Sequence, residues 1–210
     1  WVLRQQGCLT LCDIIHLKSS RLMRKVIMIL ICAFVMGYIN AQETEKKEYY
    51  VYGVDFTHAK AYGVTETVHD FLKAFYGINM LLVTEPDKYD FSRMFNRKVN
   101  VNIEPLLKIN QECDYSELIV LHSQCEPLDY KEIIKMYELP EKQGIGVVFI
   151  AKQLNKVQGV ALYDLVVFDI ASREVIMHKM VAGEARGFGL RNYWAGSIYD
   201  IIKANKKLMR

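Results

Sequence analysis

The side chains best placed to do chemistry lie in one stretch, Gly183 to Trp194, which reads Gly-Glu-Ala-Arg-Gly-Phe-Gly-Leu-Arg-Asn-Tyr-Trp. A strand, then glycines, then a helix start is the layout of loops that bind anions. The first backbone N–H groups of a helix lack intrahelical partners and sit at the positive end of its dipole. Arg186, Gly187, Gly189, Arg191 and Asn192 are therefore the candidate binding residues, for a phosphate or a carboxylate. The stretch matches no complete fingerprint. A P-loop would end in Gly-Lys-Ser/Thr, which is missing, and Asn192 stands where the dinucleotide pattern needs its third glycine. The stronger expectation is that the glycines turn the chain sharply so that Phe188, Tyr193 and Trp194 pack on a sheet.

Other reactive types are scattered. His58, His69, His122 and His178 have no His, Cys, Asp or Glu at ligand spacing, so no metal site is expected, and His58 and His69 read as solvated or edge residues. His122 and Cys125 are too close on one irregular segment to act as base and thiol. Cys113 and Cys125 flank a run, Glu117 to His122, that reads as a strand and would hold them beyond bridging distance. Asp169 belongs to a turn, where Asp bonds the backbone beyond it. Asp164, in the middle of an apolar strand, is either at an exposed edge, the preferred reading, or buried and satisfied. Tyr49, Tyr50, Tyr52, Tyr62, Tyr76, Tyr89 and Tyr130 raise the question of carbohydrate or peptide contact, but amphipathic aromatics are also ordinary sheet-edge residues. No catalytic residue and no cofactor is expected.

These residues are carried by alternating strands and helices. Tyr49 to Phe56 is a strand with Tyr50, Tyr52, Val54 and Phe56 on one face. Val64 to Phe75 is a helix capped by Thr65 or Thr67 and ended by Gly77, followed by a short buried strand, Ile78 to Thr84. Asp87 to Phe95 is a helical turn or loop and Lys98 to Ile103 a strand. Pro105 opens a helix that runs to Glu112. Leu128 to Leu139 is an amphipathic helix, and Gly144 to Ala151 a strand covered on both faces. Val160–Ile170 and Glu174–Ala182 form a hairpin about Ala171-Ser172-Arg173. Leu190 to Lys206 is a closing amphipathic helix with Leu190, Tyr193, Trp194, Ile198, Ile201 and Ile202 on its apolar side. This is a single α/β (α+β) domain: one mixed sheet with helices packed on it, ending in a β-hairpin and a helix.

At 210 residues and 51% hydrophobic content the chain can bury one substantial core. Met23-Arg24-Lys25 followed by the apolar run from Val26 has the form of a secretory signal, with Ala41 before cleavage at Gln42. Residues 1–22 are then a non-native upstream extension, 23–41 the signal peptide and 42–210 the domain. The apolar run is short for a bilayer, so no stable membrane span remains after cleavage. The formal charge of +3 is concentrated in residues 1–41. Residues 42–210 hold 22 basic and 23 acidic side chains, so there is no global charge signal for nucleic acid.

Three segments, Gly144-Ile145-Gly146-Val147-Val148-Phe149-Ile150, Val167-Phe168-Asp169-Ile170 and Gly187-Phe188-Gly189-Leu190-Arg191-Asn192-Tyr193-Trp194-Ala195-Gly196, resemble a group of secreted and envelope proteins of Bacteroidetes-type bacteria with no established activity. Element order has a looser likeness to envelope-assembly domains of the TolB amino-terminal and curli-secretion types. The resemblance implies a periplasmic or extracellular location and transfers no catalytic residue. The leading expectation is a non-enzymatic protein that binds an envelope protein or a small ligand. The alternatives are a small hydrolase or ligand-processing enzyme with its site near Gly183–Trp194, and a scaffold that pairs through an exposed strand edge.

Overall fold

The computed structural model describes residues 47–206 apart from Gln124; the expectations for the upstream extension and the signal lie outside them. The elements in chain order are β1 (Tyr49–Asp55), β2 (Lys60–Tyr62), α1 (Val68–Thr84), α2 (Phe91–Phe95), β3 (Val99–Val101), α3 (Glu104–Glu112), β4 (Ile119–Val120), α4 (Tyr130–Lys135), β5 (Ile145–Asn155), β6 (Val160–Asp169), β7 (Val175–Glu184) and α5 (Leu190–Ala204). They form one mixed sheet with helices on it, an α/β fold that closes with a β-hairpin and a helix.

The sheet is built around β5. On one edge β5 pairs antiparallel with β6, which pairs antiparallel with β7. On the other edge it pairs parallel with two strands in succession, β1 along residues 145–150 and β2 along 153–155. β3 adds parallel to β1, and β4 to β2. Thus β1 and β2 behave as one strand interrupted at residues 56–59. Helices α1, α2 and α5 cover one face, over Val51, Val54, Phe149, Tyr163, Leu165 and Val167. The opposite face carries Tyr52, Val148, Ile150, Val166 and Phe168 beneath Leu106, Ile133, Ile134 and Tyr137.

The faces of β1 differ from the alternation expected. Tyr50 and Tyr52 lie on the second face, Val54 and Phe56 on the first. The register with β5 slips between Val51 and Val54, and Gly53 at φ +95° absorbs the slip. A β-carbon on Gly53 would fall 2.3 Å from Asn79 Oδ1, so the glycine also lets the Asn79 amide dock. Asn79 accepts from Val54 N at 2.7 Å and donates to Val54 O at 2.9 Å. Asn110 of α3 accepts from Phe56 N at 2.8 Å and donates to Val54 O at 2.9 Å. Two buried side-chain amides therefore take the place of a neighbouring strand where β3 stops, leaving the β1 backbone paired.

Helix α1 is also longer than expected. Thr67 caps it in a reciprocal capping box with Asp70, but Gly77 does not end it and Ile78–Thr84 is its second half, not a strand. Phe71, Ala74, Phe75, Ile78, Leu81 and Leu82 are all buried and keep helical phase through the glycine. Gly77 is small because the Arg191 side chain crosses there: a β-carbon would lie 2.6 Å from Arg191 Cδ. The glycine marks a crossing of α1 by α5.

At the hairpin turn Asp169 Oδ1 accepts from Ser172 N at 3.0 Å, and Lys47 Nζ lies 2.6 Å from Asp169 Oδ2. The Lys47 hydrogen bond, aided by the Ser172 amide, holds the Asp169 carboxyl down at about 2. A folded value below the unfolded ~3.9 means that the contribution is complete above that pH and is lost as pH falls through the folded value. An NMR titration of Asp169 should have its midpoint at about 2, and Lys47→Ala should move it upward. An unmoved midpoint would assign the effect to the turn alone.

Candidate functional site

The break between β1 and β2 opens a crevice of about 360 Å³, within the ~300–1,000 Å³ range of small-molecule sites. Its walls are the break itself, the segment after α3 (Asp114–Leu118) and the approach to α4 (Glu126, Leu128), with Lys152 of β5 also lining it. Asp55, fully buried at the end of β1, shapes the break. Its Oδ1 accepts from Thr57 N at 2.8 Å and Thr57 Oγ1 at 2.7 Å, and its Oδ2 from Tyr137 OH at 2.6 Å. Burial and the Asp55 charge push the Tyr137 phenol well up, so it stays a donor. The chain thus leaves β1 in an Asx turn and presents His58, whose Nε2 is buried with no partner among the described residues.

Lys152 owes its position to a bulge. The β5–β6 register passes from Ala151↔Tyr163 to Gln153↔Leu162, which makes Lys152 the extra residue. Bulges re-aim side chains beside functional sites, and here the Lys152 ammonium lies 3.0 Å from Asp164 Oδ2. Tyr130 OH donates to the same oxygen at 3.0 Å, and the Tyr130 ring lies 4.9 Å from that of His178. Lys152 and Asp164 are 9% and 3% exposed. Burial works against the Lys152 charge, but the hydrogen bond and charge of Asp164 prevail and keep its pKa above the usual lysine value. Burial and the Asp164 hydrogen bond likewise raise Tyr130. Asp164 is therefore buried and satisfied, not at an exposed edge as the sequence favoured.

The topology gives this place meaning. After β2 the chain passes through α1 and α2 to β3, outside β1, and after β4 and α4 it returns to β5 on the other side of β1. The connections thus switch sides between β1 and the parallel strand β5, and the crevice lies at the carboxyl end of β1, where β2 carries on along the same edge of β5. Open α/β sheets bind ligands outside the carboxyl ends of their strands at such a switch point; here β5 runs past the crevice to Asn155.

The glycine-rich elbow forms a second, separate hollow of about 420 Å³. Arg186, Gly187, Arg191 and Asn192 line it, with Lys88, Asp200 and Lys203 among the others. Gly189 is the N-cap of α5, without a side-chain cap, and does not line the hollow. Gly187 and Gly189 have φ of +132° and +79°, the conformations the turn was expected to need. The cations are largely engaged. Arg186 pairs with Glu184, Lys88 lies 3.1 Å from Glu85, and Arg191 Nε donates to Asn192 Oδ1 at 3.1 Å. Trp194 is fully buried, but Phe188 is 96% exposed. The turn seats the tryptophan and projects the phenylalanine, contrary to the expectation that both pack inward. No Ser, Cys or His lines this hollow.

Cys113 and Cys125 are both free thiols; burial, with the charges of Asp55 and Asp114, pushes the Cys113 thiol up. The described residues contain no group of three His, Cys, Asp or Glu able to hold a metal, and no helix among them is long and apolar enough to cross a membrane.

Sequence reasoning did not find Lys152, Tyr130 or His58 as a group. The one signal was Asp164, a carboxylate in an apolar strand, which demands a buried cation or donor. No protein family, characterised protein or solved structure was found to match the chain, so its role has to be argued from its own geometry.

Proposed function

We propose that the chain is an exported, non-enzymatic binding protein of the cell envelope and that its ligand occupies the crevice at the break between β1 and β2. The observation that carries this reading is the Lys152–Asp164–Tyr130 cluster, held by a bulge beside an open crevice at the carboxyl end of β1. Buried ion pairs are a weak source of stability, and a bulge interrupts a strand ladder. Their coincidence beside an open crevice favours a binding role. The signal-like leader and the resemblance to envelope proteins support export.

One measurement addresses both parts. Intact mass analysis under non-denaturing conditions, on chain recovered from the exported fraction, should give a polypeptide beginning at Gln42 with a small molecule retained. Retention should vanish in Lys152→Met/Asp164→Leu and survive Arg186→Ala/Arg191→Ala. A polypeptide still beginning at Met23 would end the export reading. Loss of the ligand only in the arginine variant would move the site to the elbow.

The scaffold alternative has one observation in its favour. Among the described residues β7 pairs only with β6, and it exposes Ile176 and Met180, the profile of an edge able to accept another strand.

A further inference from the structure

We infer that a second copy of this chain pairs with the open edge of β7, antiparallel and about a twofold axis through His178. The surface lies apart from the crevice, and the inference rests only on β7 being an edge. Ala185 N donates to Gly159 O at 2.8 Å, toward β6, while Glu184 N turns the other way and donates to Asp200 Oδ2 at 3.1 Å. Pairing with β6 keeps one register from Glu184 back to Met177, and backbone groups alternate in direction along a strand. His178, Met180 and Ala182 therefore point their N–H and C=O groups out of the sheet. Asp200 satisfies the edge at Glu184, and among the described residues no helix, loop or strand does so for these three. An array of this kind is met by the backbone of another strand.

The side chains select the strand. Residues 175–181 read Val-Ile-Met-His-Lys-Met-Val, nearly the same in both directions about His178. In an antiparallel ladder outward-pointing residues meet outward-pointing residues, so the axis of a β7–β7 pair passes through a residue. Through His178, Ile176 lies opposite the partner's Met180 and Met180 opposite the partner's Ile176. These two are 51% and 60% exposed and lie two residues either side of His178 on one face of β7, so the axis covers all four in cross-strand apolar pairs. Lys179, on the other face, is held by Asn205 Oδ1 at 3.1 Å and meets the partner's Met177. Charge excludes the neighbouring axes. Through Lys179, that lysine would oppose itself and Glu174 would oppose Glu184, and like charges directly opposite are unfavourable. Through Met177 or Met180, a glutamate would lie against Met180 or Ile176. The register change beside Phe168 makes Ile176 an extra residue of β7, so regular pairing is confined to Ile176–Met180 of each copy. Such an interface falls below the ~1,200 Å² of lasting complexes, and the dimer is weak.

The test is sedimentation equilibrium of the purified chain at about pH 8, where imidazole is neutral. Over about 1–500 µM it should show a monomer–dimer equilibrium with a dissociation constant of about 10–100 µM, as suits so small an interface. Ile176→Lys/Met180→Lys, at two exposed positions, should weaken the dimer at least about tenfold while the circular dichroism spectrum stays unchanged. Cysteines read the axis. With the native cysteines replaced by serine, His178→Cys should oxidise to a disulfide-linked dimer, since directly opposed residues lie ~5.5 Å apart, within bridging range. Lys179→Cys, whose copies would sit diagonally at ~7–8 Å, should not. Lys152→Met/Asp164→Leu should leave the dimer unchanged, so the dimer and the crevice ligand fail separately. A chain monomeric throughout overturns the inference, as does a dimer indifferent to the lysine pair or one linked through position 179 and not 178. A monomer whose His178, Met180 and Ala182 amides shift instead with an unrelated extended peptide overturns self-pairing and assigns the edge to a foreign strand.

Discussion

Lys152→Met should destabilise the folded chain by about 3–5 kcal/mol, because it leaves the Asp164 carboxylate buried with Tyr130 as its remaining donor. Asp164→Leu should be comparably harmful, since it strands the ammonium instead. The double substitution Lys152→Met/Asp164→Leu removes both charges and should recover most of the loss, as replacing a buried pair by apolar groups is often neutral or better. Urea unfolding with an unchanged slope measures all three. A loss below about 1 kcal/mol for Lys152→Met would show that crevice water solvates Asp164 and that the pair behaves as a surface pair. The pH dependence has a definite sign. The Lys152 pKa is raised in the folded chain, the Asp164 hydrogen bond and charge outweighing desolvation. Its contribution is therefore complete below the unfolded value of ~10.4 and is lost as pH rises through the folded one.

Gly183→Ala should be the most harmful glycine-to-alanine change among the described residues. A β-carbon there would sit 2.1 Å from the Ser197 carbonyl oxygen and 2.8 Å from its carbon, so β7 and α5 must separate. The obstacle is the helix backbone, which cannot rotate aside as a flexible side chain can. Ser197 is further fixed by the 2.8 Å contact of its Oγ with Tyr163 OH and by its bond to Trp194 O. The expected loss is about 3 kcal/mol or more, at the upper end of overpacking effects, with partial exposure of Trp194 detectable by its fluorescence. Gly189→Ala is the control. Nothing lies within 4 Å of its β-carbon, and only the φ of +79° is strained, so about 1 kcal/mol is expected. If Gly183→Ala were no worse than Gly189→Ala, the β7–α5 seam would be adaptable.

What could be read in the sequence was local and periodic. The long apolar runs of β5, β6 and β7, the Pro105 helix start, the Thr67 cap and the stripe of α5 all follow from spacing over a few residues. The failures share one cause, a partner distant in sequence. Ile78–Thr84 looks like a strand because Gly77 looks like a stop, and only Arg191 lying across it explains a glycine within a helix. The faces of β1 could not be assigned because the slip at Gly53 depends on Asn79, which is 25 residues from its partner Val54. Asp164 was correctly marked as a residue in need of explanation, but its donor Tyr130 is 34 residues away and Lys152 reaches it only through a bulge. The elbow was conspicuous in sequence because glycines and aromatics cluster there. The crevice was not, since its polar groups come from four separate segments.

Asn79 and Asn110 give the β1 terminus an unusual dynamic character. Amide protons in a sheet ordinarily exchange when a neighbouring strand frays. Those of Val54 and Phe56 are held by side chains rooted in α1 and α3, so they exchange only when a helix lifts from the sheet. The lip of the crevice is therefore timed by the undocking of helices from the sheet.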